Sequence, residues 1–187
     1  LSGNDKMSKS VGNVIYADDL VRHFGTDAVR YYLLHEMPYA QDGSITYETI
    51  ISRYNYDLAN TLGNLVNRTV AMIQKYFGGV IPACGNLEAF DEDLKAAALS
   101  AAAAAAEKME QYRTSDALDE IWKLVNRANK YIDETTPWVL AKDEAQKERL
   151  GTVMYCLIEA LRFITSLLSS FMPDTAKAIS AQTKAEE

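Results

Sequence analysis

Apolar side chains recur every three or four residues through most of this chain, and its four prolines fall between the stretches that carry the repeat. Such spacing lines one face of an α-helix and demands a partner surface for each stretch. The first long stretch, from about Tyr47 to Tyr76, carries Ile51, Tyr54, Leu58, Leu62, Leu65, Thr69 and Ile73 as its stripe and stops at Gly78-Gly79. The second runs from about Glu92 to Tyr112, where Ala96–Ala98 and Ala101–Ala106 combine high helix propensity with a slim face for close packing. Ser115 or Asp116 is placed to cap the third, whose stripe is Leu118, Ile121, Leu124, Val125, Ala128 and Ile132. Beyond Thr135-Thr136-Pro137-Trp138 the period resumes from about Asp143 to Phe171, through Leu150, Val153, Leu157, Leu161, Ile164 and Leu168. Pro173 opens a short last helix, and residues 182–187 are expected to fray. The pattern predicts an all-α fold, a helical bundle. At 187 residues and 48% apolar composition, the chain can build its core without staples.

Residues 1–46 read differently. LSGNDKMSKSVGN, residues 1–13, is a polar, glycine-edged loop. Asp18 is a plausible cap for a short helix ending at Gly25, and Thr26 for a second helix through Val29, Tyr32 and Leu33 that stops before Pro38. A turn-rich connection follows, with a short extended piece at Ser44–Thr46. The expected division is therefore 1–46, a loop with short helices, and 47–187, the bundle.

The opening residues contain no apolar signal segment, and no uninterrupted apolar run is long enough to span a bilayer, which points to a soluble, cytoplasmic protein. Cys84 and Cys156 lie in different sequence settings, far apart. They suggest neither a disulfide framework nor a metal cluster, and fit a reducing compartment. Net charge is −7, but residues 86–120 hold nine acids against three bases, which accounts for −6 of it. The remainder is near balance and free to face a phosphate backbone, although the net charge argues against a purely electrostatic, sequence-blind RNA binder.

Chemistry concentrates in three segments. Lys6-Met7-Ser8-Lys9-Ser10 puts two lysines three apart on a flexible loop, where both can reach one polyanion. Ser8 and Ser10 add hydroxyls, and loop N–H groups can line phosphate oxygens. In the run from Asp57 to Arg68, DLANTLGNLVNR, Asn60, Asn64 and Arg68 are spaced four apart, opposite the Leu58, Leu62 and Leu65 stripe. Asparagine offers a donor and an acceptor, and arginine a planar fork, both suited to base edges. In the run from Tyr131 to Lys142, YIDETTPWVLAK, Pro137 fixes the backbone just before the indole of Trp138. Trp122 lies beside the Ile121 stripe and reads as packing. Lys123, Arg127 and Lys130 form a basic row on the same helix.

The first segment resembles the KMSKS signature of class I aminoacyl-tRNA synthetases, and continues through Val11-Gly12-Asn13 as that family commonly does. The second and third resemble the first anticodon-domain helix and the proline–tryptophan motif of methionyl-tRNA synthetases. The resemblance implies that Lys6 and Lys9, with Lys9 foremost, and Ser8 and Ser10 contact ATP, and that Asn64, Arg68 and Trp138 recognise the CAU anticodon of tRNA(Met). It implies a methionine–tRNA ligase using ATP with Mg2+ in its full-length form, with none bound by this portion alone. It makes residues 14–46 a stem-contact region, in which Asp42 touches the tRNA elbow or caps a turn. The second signature of class I enzymes, His-Ile-Gly-His, is absent, since His23 and His35 have no such context, and no strand–helix alternation is present. The chain is therefore expected to lack catalytic activity unaided. A ligase for isoleucine, valine, leucine or cysteine shares the lysine loop, and a non-enzymatic helical scaffold shares the bundle; these are the alternatives.

Overall fold

A computed structural model describes residues 7–10, 12–37 and 43–183. Within them the chain folds into α1 (Ala17–Phe24), α2 (Thr26–Glu36), α3 (Tyr47–Arg53), a π-helical segment (Tyr54–Gly63) and α4 (Asn64–Phe77), then α5 (Ala89–Glu110), α6 (Thr114–Thr135), α7 (Pro137–Leu140), α8 (Lys147–Leu168) and α9 (Pro173–Thr183). A 3-10 turn at Glu144–Gln146 leads into α8, and an isolated bridge at Ile45 stands where an extended piece is expected. Lys6, Val11, Pro38, Asp42 and residues 184–187 lie outside the described residues, and so do the expectations attached to them.

The larger core draws on α4, α5, α6 and α8, with Leu65, Leu118, Ile121, Val125, Ile132, Val153, Leu157 and Leu161 all fully buried. Helices α5 and α6 pair most extensively, because Ala98, Ala101 and Ala105 present no bulk to keep the backbones apart. A smaller core of Leu20, Val29, Tyr32 and Ile50 gathers α1, α2 and α3. Arg30 ties the two units together, donating from Nε to Phe171 O at 2.9 Å and from a terminal nitrogen to Ser170 O at 3.1 Å. Asp27 of α2 likewise accepts from Thr175 N–H, in the first turn of α9, at 2.6 Å.

Several local expectations are corrected; neither Asp18 nor Thr26 is a cap, since α1 follows Tyr16 and α2 follows Gly25 without a side-chain cap. The stretch from Tyr47 is continuous but not uniformly α-helical, and Ile51 and Tyr54 are exposed while Ile50 and Asp57 are buried. Two causes combine. The inward face of α3 answers to the smaller core, and the i→i+5 bonding of the π segment turns the chain less per residue, shifting the register before Leu62. Helix α5 starts three residues early, at Ala89, because the Glu88 side chain and Asp91 form a reciprocal capping box. Helix α6 starts at Thr114 without a side-chain cap; Asp116 instead accepts from Arg113.

The span Glu144–Leu168 is long and apolar enough by composition to cross a membrane, but its apolar side chains belong to the larger core. It is a core helix. Packing in the bundle uses the apolar surface that a bilayer would otherwise cover.

One buried anion organises this core. Asp91 of α5 accepts from Arg149 of α8 at 2.6 and 3.0 Å, from Glu88 N–H at 2.7 Å and from the hydroxyl of Tyr131 on α6. Burial alone would raise the Asp91 carboxyl; the hydrogen bonds from Arg149, Glu88 and Tyr131 outweigh it and hold the group below its ordinary value. Burial and the Asp91 contact push the Tyr131 phenol above its usual range. Because the folded value of Asp91 is depressed, its contribution to stability is fully present above the unfolded value, roughly 3.9, and is lost as pH falls through the folded one. Asp91→Ala leaves a mostly buried guanidinium with only the more exposed Glu88 as ion partner and is expected to cost about 3–5 kcal/mol in urea unfolding at neutral pH. The difference from the parent protein should shrink as the pH is lowered below 4 (roughly the unfolded carboxyl value); a difference independent of pH would contradict this assignment.

Candidate nucleic-acid interface

Two elements build the interface, and each owes its place to a backbone irregularity. The π segment ends at Gly63, where an added Cβ would stand 3.1 Å from Leu58 O. Asn129 of α6 donates its side-chain N–H to Thr61 O at 3.1 Å and to Val125 O at 3.2 Å, fastening the end of this segment to α6. From there α4 begins with Asn64, which is exposed, and places Arg68 one turn further along the same face. Asn60 is also exposed, but it lies within the π segment, where four residues fall short of a full turn, so it does not continue the Asn64–Arg68 row strictly.

The second element is the corner after α6. Thr136 adopts φ 42° and ψ 61°, a left-handed conformation that a β-branched residue rarely takes. Its N–H donates to Ile132 O at 3.0 Å, closing α6, while its carbonyl accepts from Val139 N–H at 2.8 Å, opening α7. Pro137 fills the first position of α7, where no N–H is needed, and is buried. The chain thus reverses within two residues and leaves the next side chain, Trp138, 42% exposed. Strain of this kind, on the order of 1–3 kcal/mol, persists only where the surroundings enforce it.

These elements meet. The Arg68 guanidinium carbon lies 6.0 Å from the centre of the Trp138 ring, within cation–π range. A terminal nitrogen of Arg68 also donates to Asp133 Oδ1 at 3.0 Å, so α6 orients the fork. The structure thus brings Arg68 and the partly exposed Trp138 together, with the exposed Asn64 one helical turn before Arg68. A flat, polar-edged ligand can stack there and be hydrogen-bonded at its rim. Asp133 carries no legible signal in sequence, since an exposed acid on a helix face is usually a solvated one; its position five residues before Trp138 matters only once the corner is formed.

Other candidates separate cleanly. Trp122 is 8% exposed and stacks on Tyr31 with ring centres 4.7 Å apart, so it is packing. The basic row on α6 is internally neutralised: Lys123 pairs with Glu120, Arg127 with Asp93 and Glu134, and Lys130 with Glu134. His35 is engaged by Glu36 and by Asp119 of α6. A second buried network was not legible either: Asp57 in the π segment accepts from the Tyr31 hydroxyl at 2.8 Å and from Arg53 at 3.2 Å.

In the lysine loop, Lys9 and Ser10 are exposed and Ser8 is half-buried. Ser8 N–H donates to Asn13 Oδ1 at 2.8 Å, Gly12 N–H to Ser8 O at 3.1 Å, and the Ser8 and Ser10 hydroxyls share a bond of 2.8 Å. Gly12 has φ 75°, the conformation that closes this turn. Lys9, between the two bonded serines, is exposed. Among the described residues no group of three or more His, Cys, Asp or Glu side chains is placed to hold a metal ion.

Comparison with known proteins decides the family. Residues 1–70 match the family model of class I tRNA synthetases of the M type, and residues 92–187 match that of the anticodon-binding domain of tRNA ligases. The chain belongs to the methionyl-tRNA synthetase family. It is 55% identical to a methionine–tRNA ligase of Caldanaerobacter subterraneus subsp. tengcongensis, over 177 residues that cover 95% of this chain and 28% of that protein. The methionine–tRNA ligase of Clostridium tetani is 54% identical over the same extent. In structure the chain superimposes on Mycobacterium tuberculosis methionyl-tRNA synthetase bound by methionyl-adenylate with a TM-score of 0.90 at 39% identity, covering 95% of this chain and 36% of that one. The apo form of the same enzyme gives 0.85 at 36% identity, covering 89% and 34%. The chain therefore spans little more than a quarter of the length of these curated relatives.

The two tryptophans of this methionyl-tRNA synthetase family member should report their surroundings separately. Acrylamide is expected to quench only part of the indole emission, and Trp138→Phe to remove the quenchable part while leaving the shielded Trp122 emission. Uniform quenching of both would contradict the burial of Trp122.

Proposed function

We propose that this chain is the tRNA-binding portion of a methionine–tRNA ligase, with residues 47–187 reading the CAU anticodon of tRNA(Met) through Asn64, Arg68 and Trp138. The observation that carries the reading is the meeting of Arg68 and Trp138 at the Thr136 corner, with the indole open to solvent. A splayed anticodon base stacks on the indole, and Asn64 and Arg68 hydrogen-bond its Watson–Crick edge and that of its neighbour. Residues 1–46 supply the ATP-contacting loop and the stem-contact region. Lys9 and Lys6 neutralise the phosphates of ATP as its α-phosphorus is attacked by methionine carboxylate, with Ser8 and Ser10 as hydrogen-bonding support. Mg2+ would arrive with the ATP phosphates. Adenylate formation requires the rest of a full-length enzyme, which operates in the cytoplasm.

Binding to RNA hairpins tests the anticodon assignment. A CAU loop is expected to bind better than CAC or GAU loops. Trp138→Ala is expected to weaken the CAU complex by more than about tenfold with unchanged helicity, since one base stack contributes roughly 1–3 kcal/mol. Equal affinity for the three loops, or an unaffected variant, would remove this surface from recognition. Lys9→Ala should leave hairpin binding intact, while in the full-length enzyme it should lower the rate of ATP–pyrophosphate exchange; a loss of hairpin binding would contradict the division of labour.

A further inference from the structure

Cys84 and Cys156 are remote in sequence, yet they line one cavity. It measures about 350 Å3, lies between α5 and α8, and is otherwise walled largely by apolar side chains such as Leu87, Leu94, Leu99 and Phe163. Both cysteines are free; Cys84 is exposed, and Cys156 is half-buried. This surface is distinct from the Trp138 corner, and nothing in the anticodon reading uses it.

The linker between α4 and α5 lies flat against α8 at this point. Gly85 N–H donates to Thr152 Oγ1 at 3.0 Å, and Thr152 stands one helical turn before Cys156 on the same face. The approach is close at Gly85, where a Cβ would come within 2.9 Å of Thr152 Oγ1, while one at Gly151 would make an ordinary 3.4 Å contact with the Pro82 ring. Glu88 then pairs with Arg149 at 3.2 Å, fixing the other end of the segment. Cys84, the residue before Gly85, is thereby delivered to the face of α8 that carries Cys156. Cys84 from the linker and Cys156 from α8 thus line the same cavity. Burial first, then the charges of Asp91 and Cys84, push the Cys156 thiol up to about 11.

We infer that Cys84 and Cys156 are a redox-responsive pair that closes to an intramolecular disulfide when the protein meets a hydroperoxide. The exposed Cys84 thiolate attacks one peroxide oxygen and the O–O bond breaks. Cys84 becomes a sulfenic acid, and the other oxygen, protonated, leaves as water. The Cys156 sulfur then attacks the Cys84 sulfur; the S–O bond breaks, the S–S bond forms, and the departing hydroxide takes the Cys156 proton to leave as a second water. In sum, two thiols and one hydrogen peroxide give one disulfide and two waters. Because Cys156 holds its proton tightly, the first oxidation falls on Cys84 and closure is the slower step, accelerating as pH rises. The product staples the linker that follows α4 onto α8.

The test treats the reduced protein with hydrogen peroxide, alkylates it with maleimide and maps it by mass spectrometry without reductant. The expected result is loss of both free thiols together, a monomer lighter by two hydrogens, and one peptide pair joining Cys84 to Cys156, all reversed by dithiothreitol. Cys84→Ser and Cys156→Ser should each abolish the linked pair. Oxygen added to Cys84 while Cys156 remains open to maleimide would overturn the inference, as would dimers linked through Cys84. The wild-type map decides the matter even if either variant fails to fold.

Discussion

The Asp91 carboxylate is enclosed by donors from three helices, and that enclosure sets what the rest of the bundle can do. Arg149 approaches from α8, the Tyr131 hydroxyl from α6, and the carboxylate itself caps its own helix through Glu88 N–H. A buried charge tolerates no loose partner, because an unpaired ion in the interior costs several kcal/mol (about 3–5 when one partner is removed). The network therefore acts less as a source of net stability than as a constraint on register. Only one sliding position of α5, α6 and α8 satisfies all of its bonds. Apolar stripes alone permit several such positions, since leucine and isoleucine accept many neighbours of similar volume.

That constraint reaches the surface through α6. Tyr131 is locked inward by Asp91, and two residues later Asp133 points outward to hold Arg68. Five residues on from Asp133 stands Trp138, beyond the left-handed turn at Thr136. The surface on which Arg68 meets Trp138 is therefore tied to the outer side of a helix whose inner side is pinned. Asn129, on the same helix, fastens the end of the π segment and hence the start of α4. Amide, cation and indole approach one another from two elements that share α6 as their reference. A surface held in place in this way loses less conformational freedom when a ligand binds.

What could be read from sequence follows from how local each cause is. Helix faces from Leu62 onward are set by an apolar period, and Leu65, Ile121, Ile132, Leu157 and Leu161 are buried as that period requires. Trp122 and Trp138 separate on local grounds too: one continues a stripe, the other follows a proline. The misplaced residues have non-local causes. Ile51 is exposed because α3 packs on α1 and α2, and Asp57 is buried because Tyr31 and Arg53 converge on it, which no spacing within its own helix announces. Asp133 and Asn129 are ordinary polar residues until the fold brings Arg68 and Thr61 to them. Polar contacts between elements were invisible for the reason that apolar stripes were not: a stripe repeats, and a hydrogen-bond partner occurs once.

The same reasoning applies to the cysteines. Two small side chains, separated by two long helices, carry no periodic signal, and counting them argues against any pairing. Their common cavity lies beside the point where Gly85, whose missing side chain leaves room for Thr152, brings the linker backbone against α8. Close approach of backbones is a property of what is absent, so it is legible only once both surfaces are in place. This close packing acts on a segment of the bundle that lies outside its helices. The linker stays in position through Thr152 and Arg149, two side chains of the helix whose Arg149 also completes the Asp91 network. Any change that moves the linker relative to α8 must therefore disturb the buried charge, and with it the register on which the Arg68–Trp138 surface is built.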